Sequence, residues 1–178
     1  MPAVKLLRED TMSDNNTEGT DLGRIGIGMM WEEFVPGTRW HTAGRTITET
    51  DLVSFINLTW FTEELFTNRH DQSVNVIGGR PVPAGLVFTM AEGLVSPSLD
   101  RTGLAFLHTD LDVKHAIQIG DTIYVHCKVI ERRESKKLDR GLVRTENTVV
   151  SGDGTPLMVY RPLRLVRRRH VSSAPAHA

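Results

Sequence analysis

The chain has 178 residues, of which 39% are hydrophobic and 24% charged, and its net charge is −1 at neutral pH. This length and composition are typical of one globular domain with a sizeable core, and the balanced charge argues against a surface built for nucleic acid or acidic lipid. The single cysteine, Cys127, excludes an internal disulfide framework and a thiolate metal cluster within one chain, so we expect a reducing, cytoplasmic compartment. No stretch approaches the roughly 20 apolar residues of a membrane span.

Both ends of the sequence are predicted to be flexible. Residues 1–22 contain no continuous apolar region of the kind found in secretory signals, and their second half is rich in Gly, Asn and Asp. The tail 170–178 has a similar polar and small-residue character. The sequence therefore predicts one folded domain over residues 23–169.

The segment RTITETDLVSFINL predicts a short strand followed by a helix. The run 45–47 is β-prone, and Thr48 with Asp51 three residues later forms a helix-start signal. Leu52, Phe55 and Ile56 then follow the spacing of one helix face. We expect this helix to end at about residues 57–59.

A second helix is predicted from Ala84 to about Val95, after the Gly- and Pro-rich stretch 78–83. It is apolar nearly all round, which predicts burial on most sides. Glu92 is an exception on this helix. It should not be buried unpaired, so we expect it to meet an arginine or a backbone donor, or to face solvent at the dimer edge. Pro97 follows as a stop signal.

The remainder of the chain alternates apolar and polar residues with the period of a β-strand. Turn signals divide it into four predicted strands, at 103–117, 121–135, 141–154 and 155–169. Long consecutive strands joined by short turns favour an antiparallel sheet that bends around one long helix. The sequence therefore predicts an α+β fold.

Three blocks in this order and spacing, GRTITETDLVSFINLT, GGRPVPAGLVFTMAEGL and IGDTIYVHCKVIERRESKKLDRGLV, resemble the MaoC-like dehydratase family, which includes the (R)-specific enoyl-CoA hydratases. The resemblance covers about residues 40–169. It implies a single hot-dog fold, in which a curved antiparallel sheet wraps a long central helix. It also implies addition or removal of water across the 2,3-bond of an acyl thioester such as acyl-CoA, without a metal or further cofactor. Family members generally form dimers by pairing sheets edge to edge, with the pocket at the interface.

The resemblance also identifies an unusual feature in TWFTEELFTN, residues 59–68. Active family members carry a segment similar to T-G-D-x-N-P-x-H here, whose aspartate and histidine move the protons of the reaction. Aligned without gaps, the aspartate position falls on Phe61 and the histidine position on Phe66. We expect these rings to shape an apolar acyl pocket, and we expect Glu63 or Glu64 to replace the missing acid–base group because an apolar setting favours such a role for glutamate.

A second family element is retained in the turn VPAGL, residues 82–86. In the family, a backbone amide at the start of the central helix binds the thioester oxygen as negative charge develops on it. Pro83 has no amide hydrogen, so the resemblance implies that Ala84 or Gly85 supplies the donor.

Several alternatives stay open at this level. His70 and Asp71 offer a displaced dyad, whereas His108, His115 and His126 lack the spacing of a metal site. The absence of the family dyad also allows a non-catalytic thioester-binding protein, or a partner subunit in a mixed hot-dog dimer. A hot-dog thioesterase is a third possibility, because that reaction also needs a carboxylate close to the thioester. The sequence favours a hydro-lyase.

Overall fold

The computed structural model describes residues 26–70, 73 and 75–169, so the predictions for segments 1–22 and 170–178 lie outside the described residues. Within these ranges the chain forms three α-helices and eight strands. The helices are α1 (Glu49–Thr59), α2 (Glu64–Thr67) and α3 (Ala84–Val95). The strands are β1 (Arg39–His41), β2 (Arg45–Thr46), β3 (Gly103–His108), β4 (Leu111–Val113), β5 (Thr122–Glu134), β6 (Arg140–Ser151), β7 (Pro156–Tyr160) and β8 (Leu163–Arg167).

Helix α1 begins with the predicted capping interaction. The Asp51 amide donates to the Thr48 hydroxyl at 3.3 Å, and the Thr48 amide donates to the Asp51 carboxylate at 2.9 Å. Hydrogen bonds from the hydroxyl and amide of Thr48, followed by the nearby Arg45 guanidinium, lower the pKa of Asp51. Leu52 and Ile56 are the buried residues of this helix, so its apolar face packs against the core as predicted.

Helix α3 is the central helix, and its bounds match the prediction. Its buried side chains are Leu86, Val87, Met90, Ala91 and Val95. They join α1 and the inward-facing residues of the sheet in one large apolar cluster. At 12 residues α3 is too short to cross a bilayer; across the described ranges no helix combines the length and apolar character that a membrane span requires.

The sheet is antiparallel throughout, and β5 and β6 form its middle. Strands β1 and β2 pair with successive parts of β5, while β8 and β7 pair with successive parts of β6. Strand β3 then pairs with β8, and β4 pairs with β7. In β5 every second residue from Ile123 to Val129 is buried, so one face of the strand belongs to the core.

The prediction of four strands is wrong in two places. Residues 103–117 contain β3 and β4 rather than one strand, and residues 155–169 contain β7 and β8. Pro162 lacks an amide hydrogen, so it interrupts the ladder between β7 and β8. The two interruptions lie side by side, because the Arg161 amide donates to the Asp110 carbonyl at 3.0 Å. Strand β1 was also not predicted, since its three residues show no extended alternation.

Cys127 points from β5 into the core and is 2% exposed. Burial raises the pKa of its thiol to about 12. The thiolate is the reactive form of cysteine. Cys127 is therefore a packing residue at neutral pH.

We predict that Thr48→Ala lowers the free energy of unfolding by about 1 kcal/mol, because the helix loses its capping hydroxyl. Chemical denaturation followed by circular dichroism measures this change. Thr50→Ala is the matched control, since Thr50 is an exposed residue two positions further along the same helix. Equal destabilisation by both substitutions would contradict the capping role.

We also predict that Cys127 reacts with a disulfide reagent such as dithionitrobenzoate very slowly at pH 8 in the native protein. The raised pKa leaves little thiolate at this pH, and the buried sulfur is inaccessible. Unfolding in guanidinium chloride should release one rapidly reacting thiol per chain. An equally rapid reaction in the native protein would show that this part of the core opens readily.

Candidate active site

A cavity of about 200 Å³ lies at the N-terminal end of α3. Its wall comes from α2, from the segment 81–84 and from the segment 113–117. Two backbone contacts bring the last two segments together: the Val82 amide donates to the Ile117 carbonyl at 2.7 Å, and Pro81 forms an isolated bridge with Gln118. The lining is mostly apolar, and it includes Leu65, Phe66, Val82, Ala84, Val113 and Ile117.

The first turn of α3 begins at the wall of this cavity. Pro83 precedes the helix in an extended conformation, and its carbonyl accepts from the amides of Leu86 and Val87. Ala84 and Gly85 are the first two helical residues, so their amides precede the first intrahelical hydrogen bond. Ala84 itself lines the cavity. The two residues that the sequence singled out therefore lie at the positive end of the central helix.

The segment after α1 turns sharply before it reaches this cavity. Trp60 ends α1 in the left-handed conformation, with φ of 60°, and its amide donates to the Ile56 carbonyl at 2.8 Å. Its indole ring is 84% exposed. Four residues later the chain enters the single turn of α2, which carries Leu65 and Phe66 to the cavity wall.

The two dyad positions inferred from the resemblance are neighbours in space. The rings of Phe61 and Phe66 lie 5.7 Å apart between centroids, and Phe55 of α1 lies 6.0 Å from Phe61. Phe66 is buried and lines the cavity, whereas Phe61 is 40% exposed. A Cβ atom on Gly85 would lie 3.4 Å from the Phe55 ring. These three rings thus form an aromatic cluster beside the first turn of α3.

Glu63 and Glu64 lie at the start of α2, and both are exposed. The Glu63 carbonyl accepts from the Phe66 amide and from the Thr67 hydroxyl, which holds the single turn together. Neither carboxylate belongs to the cavity wall. Their acid–base role therefore stays a prediction from the sequence.

His115 is a cavity residue that the sequence considered only as a metal ligand. It stands two residues after β4, and its Nδ1 lies 2.6 Å from the Pro156 carbonyl oxygen. No local motif marks it, because the pairing of Val82 with Ile117 is what brings position 115 beside Ala84. The remaining sequence alternative, His70 with Asp71, is partly outside the described residues; His70 itself is exposed on the loop after α2.

A second polar centre lies further along α3, where Glu92 meets an arginine, one of the three alternatives that the sequence left open. Arg164 of β8 donates to both Glu92 oxygens, at 2.5 and 2.6 Å, and its guanidinium is stacked 5.3 Å from the Phe106 ring centroid. Arg164 is 6% exposed, so the pair compensates a buried charge. Both residues also line a wider, open cavity of about 770 Å³ beside β3.

Two neutral polar groups accompany this ion pair in the core. Tyr160 and Asn147 are fully buried, and neither the Tyr160 hydroxyl nor the Asn147 amide has a hydrogen bond within the part of the chain that the structure describes. Burial, followed by the nearby negative charge of Glu92, raises the pKa of Tyr160. Tyr160 is therefore a neutral phenol at any physiological pH. The described residues contain no group of three or more His, Cys, Asp or Glu side chains arranged to hold a metal ion.

Comparison with protein-family models gives no match, and comparison with curated proteins gives none either. Solved structures do match. A MaoC-like dehydratase from Rhodospirillum rubrum is 19% identical, with a TM-score of 0.70 over 81% of this chain and 100% of that one. The unliganded R-hydratase PhaJ1 from Pseudomonas aeruginosa is 16% identical, with a TM-score of 0.67 over 85% of this chain and 96% of that one.

A third similar structure is Rv0216 from Mycobacterium tuberculosis, described as having a double hot-dog fold. It is 18% identical, with a TM-score of 0.68 over 87% of this chain and 47% of that one, so this chain corresponds to about half of it. At these identities the comparisons establish the fold. The chain has the hot-dog fold, with α3 as its central helix, and shares that architecture with MaoC-like dehydratases and R-hydratases.

Proposed function

We propose that this protein is a MaoC-like hydratase or dehydratase, which adds or removes water across the 2,3-bond of an enoyl thioester such as an enoyl-CoA. The proposal rests on one observation, that the first turn of the central helix and a small cavity lie side by side. The first-turn amides of α3 lie where a small cavity with a mostly apolar wall opens. The similarity in fold to a MaoC-like dehydratase and an R-hydratase supports the same reaction class.

The amides of Ala84 and Gly85 are proposed to bind the thioester oxygen. During hydration, the water oxygen attacks C3 and negative charge moves onto that oxygen, so donors aimed at it stabilise the transition state more than the ground state. The dipole of α3 favours the same charge. No metal or further cofactor enters this proposal, in which the thioester is the substrate.

The aromatic cluster is proposed to form the acyl side of the site. Phe66 contributes to the cavity wall, and Phe61 packs against it. Burial of an apolar acyl chain against such rings is favourable by roughly 25 cal/mol per Å² of apolar surface. A short or medium apolar acyl group fits this lining better than a charged one.

Glu63 and Glu64 are proposed to supply a carboxylate to the reaction, as the sequence predicted. They are the acidic residues nearest in sequence to Phe61 and Phe66. Their exposure is that of a single chain, so a partner subunit packed over α2 would change their surroundings. General acid–base groups contribute about 10²–10⁴-fold to turnover, which makes their role measurable.

We further propose that the protein forms a homodimer through one edge of the sheet, the one formed by β3 and β4. Strands β3 and β4 are paired on one side only among the described strands. Apolar residues on both faces of this edge are exposed, including Leu104, Phe106, Leu107 and Val113. An unpaired edge of this kind favours pairing with another strand. Val113 also lines the cavity, so a partner on this edge would border the site.

We predict that the purified protein hydrates crotonyl-CoA, and the loss of enoyl absorbance measures this reaction. The sequence hypothesis expects Glu63→Gln or Glu64→Gln to lower turnover by about 100-fold or more without preventing binding. Retained turnover in both variants would contradict the role of these carboxylates but not the hydration itself.

Two other outcomes of the same assay would contradict hydration. Stable binding of the thioester without turnover would favour a non-catalytic subunit. The observation behind this alternative is that aromatic rings occupy both dyad positions. Release of free CoA, detected with a thiol reagent, would instead indicate thioester hydrolysis.

We predict a dimer of about 40 kDa by light scattering coupled to size exclusion, twice the 19.9 kDa mass of one chain. Leu107→Glu should produce a monomer, because it places a charge on the proposed edge. Leu138→Glu is the matched control, since Leu138 is an exposed leucine on the connection between β5 and β6. A wild-type monomer, or a Leu107→Glu variant that stays dimeric, would contradict the proposed interface.

A further inference from the structure

The cavity at the start of α3 has one ionisable side chain in its wall among the described residues, and it is His115. The other lining residues are aliphatic, aromatic or proline. A water molecule or a reacting carbon atom in this cavity would therefore meet an imidazole before any carboxylate. The mechanism proposed above gives this imidazole no role.

The orientation of the His115 ring is determined by its hydrogen bond. Nδ1 lies 2.6 Å from the Pro156 carbonyl oxygen, and a carbonyl oxygen can only accept. The neutral ring must then carry its hydrogen on Nδ1 and its lone pair on Nε2. A backbone partner that holds one ring nitrogen and leaves the other as a base is the arrangement that acid–base chemistry requires of histidine.

Charged side chains near His115 are paired with side chains of opposite charge. Lys114 and Asp112, on the same stretch of chain, lie 3.6 Å apart as an ion pair. Across the cavity, Arg80 forms an ion pair with Glu49 and donates to the Phe66 carbonyl at 3.2 Å. The carboxylates of Asp112 and Glu49 are therefore each paired with a basic side chain rather than with the His115 imidazole.

We infer that His115 is a catalytic acid–base residue of the proposed hydration. This inference rests on the proposed function. In the forward direction, His115 Nε2 takes a proton from water while the water oxygen bonds to C3. The C2–C3 π electrons move to the thioester oxygen, which the Ala84 and Gly85 amides stabilise.

The second half of the step restores the thioester. The electron pair returns from oxygen to C2, and C2 takes the proton from Nε2 of the His115 imidazolium. The net change is the addition of one water, and His115 returns to its neutral state. His115 thus moves the proton between water and C2, from a chain position other than Phe61 and Phe66, while the Glu63 or Glu64 carboxylate proposed above accepts the second hydrogen bond of the same water.

The alternative is that His115 only anchors the segment after β4 to Pro156. The experiment therefore compares His115→Gln and His115→Ala with His126→Gln and His126→Ala, in the full chain with crotonyl-CoA. His126 is an exposed histidine on the outer face of β5, away from the cavity wall. We expect turnover to fall at least 100-fold in both His115 variants, with KM changed less than threefold, and to stay within twofold of wild type in both His126 variants.

Added imidazole supplies a readout that an anchoring role would not affect. It should restore at least a tenth of the lost turnover in His115→Ala, because the exposed position lets the small base occupy the vacated space. Loss of turnover without this rescue, accompanied by a lower melting temperature, would overturn the inference. In wild type, ¹⁵N spectra of the neutral ring should show the hydrogen on Nδ1, and a hydrogen on Nε2 would also overturn it.

The outcomes separate this inference from the function on which it rests. Wild-type hydration with unchanged turnover in His115→Gln and His115→Ala would overturn the role of His115 and leave the proposed function standing. Thioester binding by wild type without any hydration would overturn the proposed function and the role of His115 together.

Discussion

The segment that leads into α3 is held against residues 117–118 by backbone contacts, and the candidate site depends on that attachment. The Val82 amide bonds to the Ile117 carbonyl, and Pro81 bridges Gln118, so the chain enters the helix from a short strand-like pairing. Pro83 then precedes the helix, and it has no side-chain acceptor that would bond to the Ala84 and Gly85 amides. Because backbone atoms provide this attachment, the side chains around the cavity can differ from those of relatives while the helix start stays in place. Under the proposed function, this attachment is how a chain with phenylalanine at both inferred dyad positions still keeps backbone donors beside the cavity.

The central helix borders an apolar cavity at its first turn and a buried ion pair two turns later. Its first turn borders the mostly apolar cavity, with Phe66 on one wall and His115 on another. Two turns later, Glu92 and Arg164 form the buried ion pair beside the wider cavity. A charged pair in a core rarely adds much stability, but removing either partner leaves an uncompensated charge. The pair therefore links α3 to β8, and its net contribution to the free energy of unfolding is expected to be small.

Local signals were sufficient to predict most elements from the sequence. The Thr48 cap, the bounds of α3 and the long strands β5 and β6 follow from hydrogen-bonding residues and hydrophobic periodicity, which act within a few positions. The interruptions at 109–110 and 161–162 were missed because they depend on which strand lies opposite. Pro162 was visible in the sequence, yet its effect became clear only once β6 was seen to pair with β7 and β8 in turn.

The candidate site was predictable only in part, for a similar reason. Phe61, Phe66 and Ala84 were found by resemblance, and the structure brings Phe66 and Ala84 into one cavity wall. His115 comes from a segment about 30 residues beyond Ala84, and its approach depends on one long-range backbone pairing. No periodicity or short motif encodes such a contact, so sequence reasoning considered Glu63 and Glu64 for the acid–base role and His115 only as a metal ligand.

The central claim is that a thioester carbonyl binds at the first turn of α3. Its most direct test is the infrared spectrum of butyryl-CoA labelled with ¹³C at the thioester carbonyl, because this saturated ligand binds without reacting. We predict that the labelled carbonyl band moves to lower wavenumber on binding. The movement should shrink in Ala84→Pro, which removes one amide hydrogen at a helix position that accepts proline. A bound ligand whose carbonyl band stays at its free position, or moves equally in wild type and Ala84→Pro, would contradict the claim.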